Sequence, residues 1–348
     1  MGKTVKIAVD AMGGDFAPRQ NISGAISTAR RVKGRFEIVL VGDSDKIQAQ
    51  LSRHFRTQDL AITIHHASEH VEMNESPAEA LKLKKDSSIA VAMRLHKEGK
   101  VDAVVSAGNT GAVLASALFQ LRKIKNVHRP AIGSLLPNGK NVTFLIDAGT
   151  NVDCKPRQLY EFGVMGSIFM SNLFNIEKPR VGLLNIGSEK SKGNEQVQLS
   201  YDIFEKSKLN FIGNIEGNSV LRNKADVIVC DGFVGNVILK FAESFNSVFS
   251  SNLRQRIGKR LQYNIGAYLL KPAFRRLKKT FDYAEYGGVP LLGVNGVVII
   301  CHGNSNPKAI RNAILEAEKV INERINEKIE RELNLKAEPA EEVEMKFA

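Results

Sequence analysis

The sequence predicts an α/β protein built on a mainly parallel sheet, and three observations predict it. Short β-branched runs recur along the 348 residues. Each stops at a polar residue with glycine beside it or close after it, and helix-length segments separate most of them. Nearly continuous apolar runs joined by helices belong to strands covered on both faces. In such sheets the crevice beyond the carboxyl ends of the strands takes the ligand.

Taken in order, Val5 to Val9 predicts a strand ending at Asp10, and Ile38 to Val41 one ending at Gly42-Asp43. Ala61 to Ile64 carries a further strand signal. Val104-Val105 ends at Ser106, Val142 to Ile146 at Asp147, and Leu183-Leu184 at Asn185. Phe211 to Ile215 ends at Glu216, Val227 to Cys230 at Asp231, and Val297 to Cys301 at His302. Thr110 to Lys123 and Pro156 to Phe174 are helix-length. Pro307 through Leu333 reads as helical, with Ile310, Ile314, Ala317, Ile321, Ile325 and Ile329 on one stripe and Pro307 placed to open it. The expected organisation is a single body over 1–335, a helical insertion near 245–282, and a flexible Glu-rich tail over 336–348.

The hydrophobic fraction of 43% and charged fraction of 25% are those of a globular protein. No apolar run reaches the ~18 residues of a membrane span, and the first residues carry no secretory apolar core. Cys154, Cys230 and Cys301 are odd in number and far apart, as expected in a reducing cytoplasm, and they form no metal pair. The net charge is +12. Nine basic residues and no acidic ones lie between Arg254 and Lys279; without them the charge would fall to +3. A protein that is basic in one place meets something acidic there.

Two turns carry an anion-binding logic. Asp10-Ala11-Met12-Gly13-Gly14-Asp15 offers paired glycines whose backbone a ligand can approach closely. Ser106-Ala107-Gly108-Asn109-Thr110-Gly111-Ala112 leads small residues into a helix whose N-terminus favours an anion. Neither is a dinucleotide fingerprint. Asn185 to Glu195 is Gly-bearing like a phosphate loop, but Asn194-Glu195 stands where Lys-Ser/Thr is required, which argues against ATP. His66-Ala67-Ser68-Glu69-His70 fits an inverted zinc-protease pattern in letters only, because it follows a strand and runs into a turn rather than lying on one helical face. No metal and no cofactor is expected. There is no Gly-x-Ser-x-Gly elbow, so no serine nucleophile is supported. An enzyme whose nucleophile is phosphate itself needs only an anion cradle, donors to a carbonyl oxyanion, and an acceptable leaving group.

Taken together, these motifs resemble the phosphate acyltransferase family of bacterial phospholipid synthesis. The matching stretches are Asp10 to Asp15, Ser106 to Ala112, Asp147 to Asn151, Lys155-Pro156, Leu184 to Glu195, Asp231 to Val237, and Glu285 to Gly288 through Gly293 to His302-Gly303-Asn304-Ser305. The resemblance implies a three-layer α/β/α sandwich of the isopropylmalate-dehydrogenase type. It also implies conversion of acyl-acyl-carrier-protein and inorganic phosphate into acyl phosphate, a homodimer, and peripheral attachment to the membrane from the cytoplasm. A membrane glycerol-3-phosphate acyltransferase would consume the product. Thr150 departs from the family pattern, where Ala is usual.

On this reading the amides of Gly13, Gly14, Gly108 and Thr110 hold phosphate, Lys192 adds positive charge, and His302 orients phosphate or protonates the leaving sulfur. Asn109, Asn185 and Asn236 donate to the carbonyl oxygen. Asp10, Ser106, Asp147, Asn151, Glu195 and Asp231 complete the substrate-binding set. Each asparagine can equally serve as a helix cap.

Val237, Phe241, Phe245, Val248, Phe249, Leu253, Ile257 and Leu261 recur at helical spacing, and Pro272 is expected to open a second piece with Phe274, Leu277 and Phe281. Apolar faces beside cations make helices that lie on an anionic lipid surface. The contact residues expected are Arg254, Ile257, Lys259, Arg260, Leu261, Arg275, Arg276 and Lys278, facing the membrane, the acidic carrier protein, or both. Three other functions compete: a nicotinamide-dependent decarboxylating dehydrogenase of the same fold, a phosphotransacetylase using acyl-coenzyme A, and a basic nucleic-acid-binding module. The last has no recognisable zinc finger, RNP motif or heptad-linked basic region, so nucleic acid is not an expected partner.

Overall fold

The computed structural model describes residues 4–139, 141–257, 261–274 and 283–334. Its strands are β1 (Lys6–Asp10), β2 (Glu37–Gly42), β3 (Ile62–His66), β4 (Ala103–Ser106), β5 (Ala131–Pro137), β6 (Val142–Ile146), β7 (Val181–Asn185), β8 (Phe211–Glu216), β9 (Val227–Val229), β10 (Val289–Leu292) and β11 (Val298–Ile300). Its principal helices are α1 (Arg19–Val32), α2 (Ser44–Leu51), α3 (Pro77–Leu83), α4 (Ser88–Lys97), α5 (Thr110–Gln120), α6 (Pro156–Phe174), α7 (Glu195–Glu205), α8 (Gly232–Ile257), α9 (Leu261–Leu269), α10 (Pro307–Asn322) and α11 (Ile325–Asn334). Contacts divide the chain into two compact units. One is drawn from Met1–Ile132, Ile168–Glu177 and Tyr286–Ala348, the other from Gly133–Ser167 and Lys178–Glu285.

In the first unit the strand order is β3-β2-β1-β4-β11-β10. The strands from β3 to β11 run parallel, with Ile7 opposite both Ile38 and Ala103, and Ile300 opposite Ser106. β10 is antiparallel to β11 and pairs with the first two residues of β5. Strands buried along almost their whole length require cover on both faces. On one face Ala8, Val39, Val104 and Ile300 pack with Ile89, Val91, Ala112, Val113 and Ala117 of α4 and α5. The opposite cover includes α1 packed against α10. There Gly24 lies so close to Ile310 that an added Cβ would sit 2.6 Å from its side chain. The helical stretch after Pro307 is two helices rather than one: Arg324 takes a left-handed φ of 50° between α10 and α11. The isoleucine stripe continues through the break, which is why its spacing gave no sign of it.

In the second unit the order is β5-β6-β9-β7-β8. β5 and β6 form an antiparallel hairpin, and β6, β9, β7 and β8 are parallel. Gly163 of α6 lets the ring of Phe204 on α7 approach, and Tyr160 and Phe211 pack edge-on and stacked against that same ring. α8 leaves a ladder of apolar side chains in solvent: Phe241, Phe245 and Phe249 are 71%, 62% and 56% exposed, and their rings stack one helical turn apart. Arg254 is exposed and Ile257 half-buried on its last turn. A helix opens at Leu261, and after a turn at Leu270 the chain is helical again over 271–274, in keeping with a second piece starting near Pro272. Lys259, Arg260, Arg275, Arg276 and Lys278 lie outside the described residues, as do Leu277 and Phe281. Among the described residues no helix is long and apolar enough to cross a membrane.

Candidate functional site

In the first unit three bends meet at the carboxyl ends of β1, β4 and β11. Asp10, 1% exposed, organises them. Its carboxylate accepts the Met12 N–H at 3.1 Å and the Ser106 hydroxyl at 2.7 Å, with Ser88 and the Gly13 backbone close beside it. Burial raises the Asp10 pKa above its ordinary 3.8, and these donors pull it part of the way back. Ser106 in turn accepts the Gly108 N–H at 3.0 Å. A Cβ on Gly13 would lie 2.6 Å from the Gly108 nitrogen, so glycine is required for the two bends to touch. Gly14 has φ +101°, and a Cβ there would be 2.9 Å from the Gly303 carbonyl; the Asp15 N–H donates to that carbonyl at 2.8 Å. Beneath the bend the Asn21 amide reaches the carbonyls of Asp10, Ala11 and Gly13.

These bonds alter the expected division of labour. The N–H of Gly108 points inward to Ser106, so it braces the bend instead of facing a ligand. Gly14 offers an amide to an anion, as do Thr110 and Gly111, which open α5 and have no acceptor within the helix. Asn109 caps that helix by accepting the Ala112 N–H at 3.1 Å. Its own NH2 donates to the carbonyls of Glu72, Met73 and Glu75, tying the loop before α3 to the site. That amide is fully occupied, and the expected donation to an oxyanion has no proton left to use. His302 is exposed, and its Nδ1 accepts the Asn304 N–H, which leaves the ring proton on Nε2.

The second unit repeats the device with different donors. Asp147, fully buried after β6, accepts the N–H groups of Gly149, Thr150 and Asn151 and the side-chain NH2 of Asn151, at 2.7–3.2 Å. The Asn151 carbonyl accepts the Gly232 N–H at 2.7 Å, and Gly235 is pressed against the Asp147 carbonyl. Asp231 accepts the Val234 N–H in the first turn of α8, and exposed Asn236 lies 3.4 Å from where a Gly149 Cβ would stand. Burial and the nearby Asp147 and Asp231 push the Cys154 thiol up to about 12 and Cys230 well above 9.0, so neither is a thiolate nucleophile at neutral pH. The Thr150 hydroxyl is buried with no hydrogen-bond partner.

After β7, Asn185 accepts the Ile186 N–H and donates to the Lys192 carbonyl, so its amide shapes its own loop. Lys192 and Glu195 on that loop are exposed, and Asn194 caps α7. The structure therefore groups Asp10, Gly13, Gly14, Ser106, Gly108, Asn109, Thr110 and His302 in the first unit. It groups Asp147, Asn151, Asp231 and Asn236 around one bend of the second, with Asn185, Lys192 and Glu195 on the β7 loop. Sequence reasoning missed Asn21 and Ser88. Asn21 did leave a signal, as a polar residue beside the apolar positions Ile22, Ala25, Ile26 and Ala29 of α1. Among the described residues no cluster of His, Cys, Asp and Glu fits a metal ion.

The family described as "Fatty acid synthesis protein" matches residues 5–328. A protein of Syntrophotalea carbinolica named "Phosphate acyltransferase" is 48% identical over 335 residues, 96% of each chain. Proteins of the same name from Pelotomaculum thermopropionicum and Moorella thermoacetica are also 48% identical, over 93% and 92% of this chain and 94% and 93% of theirs. Among solved structures, a phosphotransacetylase from Streptococcus pyogenes superimposes with a TM-score of 0.59 at 18% identity, covering 92% of this chain and 95% of its own. The EutD phosphotransacetylase from Staphylococcus aureus gives 0.58 at 18%, covering 91% and 95%. At that identity the two structures share the fold.

Proposed function

This chain belongs to the phosphate acyltransferase family, and we propose that it moves a long-chain fatty acyl group from acyl-acyl-carrier-protein to inorganic phosphate, making acyl phosphate for phospholipid synthesis. The observation that carries the chemistry is the meeting of glycine-bearing bends at the head of α5, held by buried Asp10. A phosphate oxygen attacks the thioester carbonyl, the tetrahedral oxyanion collapses, and the carrier leaves as a thiolate that takes a proton. Gly14 and the first amides of α5 hold the phosphate against the positive end of the helix dipole. His302, with its proton on Nε2, orients phosphate or supplies the proton to sulfur. A thiol of pKa about 8.5 leaves with little help at neutral pH, so positioning carries most of the rate. In the second unit the exposed Lys192 and Asn236 are kept as the candidate cation and asparagine donor.

The chain is further proposed to act as a cytoplasmic homodimer on the membrane surface, passing acyl phosphate to a membrane glycerol-3-phosphate acyltransferase. The exposed Phe241–Phe245–Phe249 ladder supports burial against a second copy, and the cations between Arg254 and Lys279 support contact with anionic lipid. Purified protein mixed with long-chain acyl-acyl-carrier-protein and labelled phosphate is expected to yield a hydroxylamine-sensitive acyl phosphate. Product from short-chain acyl-coenzyme A alone would overturn the assignment of donor.

A further inference from the structure

We propose that the cationic cleft between α5 and β5 is the docking surface for the acidic carrier protein, a surface distinct from the basic stretch after α8. The inference rests on the donor being carrier-bound. Arg122, Lys123, His128 and Arg129 line the cleft with Leu118 and Ile124, around a volume of ≈ 710 Å³. Lys125 is exposed beside them. The sequence has no Asp or Glu from residue 103 to 146, so the segment brings no anion of its own. Among the described residues Arg122, Lys123, Lys125 and Arg129 form no ion pair. Cations left without counter-charges around an apolar floor fit an acidic protein face, where they steer approach and fix orientation.

The surface is also built, not floppy. The Asn295 N–H donates to the Arg122 carbonyl at 2.9 Å and the Ile124 N–H to the Gly293 carbonyl at 3.0 Å, fixing the loop to the strand end after β10. Ile124 and Val127 are buried beneath it, and Lys123 Nζ holds the His128 carbonyl at 2.9 Å. Arg122 and Asn126 sit at φ 65°, so the chain turns twice within five residues. A rigid rim lowers the entropy lost when a partner binds.

The test uses the full chain with Lys125→Glu, Arg129→Glu and their double variant, and with Lys208→Glu, an exposed cation of the other unit, as the control. Acyl phosphate formation is measured with acyl-acyl-carrier-protein and with acyl-pantetheine, which keeps the thioester and lacks the protein. The double variant is expected to raise KM for the carrier substrate by about tenfold or more at low salt. It should flatten the salt dependence and leave kcat and the acyl-pantetheine rate unchanged, while Lys208→Glu changes nothing. Direct titration of carrier protein onto the same variants reads docking without turnover. If wild type makes no acyl phosphate but binds the carrier and the double variant does not, the reaction fails and the docking surface stands. Wild-type carrier affinity in the double variant overturns the surface, and so does a loss confined to binding of anionic vesicles.

Discussion

The bends after β1 and β6 each hang on one buried aspartate, yet the two carboxylates draw on different sets of donors. Asp147 is surrounded by backbone N–H groups within four residues of itself, plus the Asn151 amide. Asp10 is bound by the Ser106 hydroxyl as well as by the Met12 N–H, and Ser106 lies on another strand. A backbone N–H can only donate, whereas a hydroxyl can turn and accept. Asp147 thus moulds its own loop, while Asp10 stitches two bends together through a hydroxyl that can turn.

Replacing each by its amide is the strongest way to break that comparison. Asp147→Asn sets an NH2 against donors that cannot turn, and should cost about 3–5 kcal/mol in urea unfolding. Asp10→Asn lets Ser106 reverse its bond and should cost only about 1–2 kcal/mol. Equal losses would remove the distinction. Next in size, Gly13→Ala drives a Cβ into the Gly108 backbone and should lower kcat/KM for phosphate by about tenfold or more. Gly149→Ala meets Asn236 only at 3.4 Å, and despite its φ of +135° should show in stability before activity. Lys192→Ala should raise KM for phosphate by about tenfold; unchanged turnover at low phosphate would take Lys192 out of the reaction.

The pH dependence of Asp10 sharpens the contrast further. Its folded pKa is raised, so between 3.8 and that raised value the folded state holds a proton that the unfolded chain has released. Stability therefore falls as pH rises through this window and is level above it. Asn cannot titrate, so the gap between wild type and Asp10→Asn should narrow as pH rises, in unfolding measured from pH 3 upward. A gap constant with pH would mean that Asp10 titrates normally. The smallest effect belongs to Thr150→Ala, which removes a buried hydroxyl with no partner. It should be neutral or stabilise by up to about 1 kcal/mol in thermal unfolding.

The parallel strands, the polar residues that end them, and the α/β class were legible because apolar runs and glycine punctuation are local. β5 and β10 were not, since Gly133, Pro137 and Pro290 blur their strand signal and their pairing is antiparallel. The division into two units was hidden as well, because the chain crosses within β5 and within α6 and not at a loop of turn-forming residues. At the site, glycine and aspartate were found by spacing, but the direction of each N–H was not. The Ser106–Asp10 bond behind the inward Gly108 N–H, and Asn109 holding three carbonyls, join residues up to 96 positions apart. No local pattern encodes those contacts.

The packing of α1 on α10 sets an order of events during synthesis. Arg19–Val32 is made about 275 residues before the surface that covers it, where Ile310 sets into the gap at Gly24. Until Pro307–Asn322 emerges, Ile22, Ala25, Ile26 and Ala29 have no α10 to cover them, so the nascent chain carries an uncovered apolar stripe while the intervening residues are made.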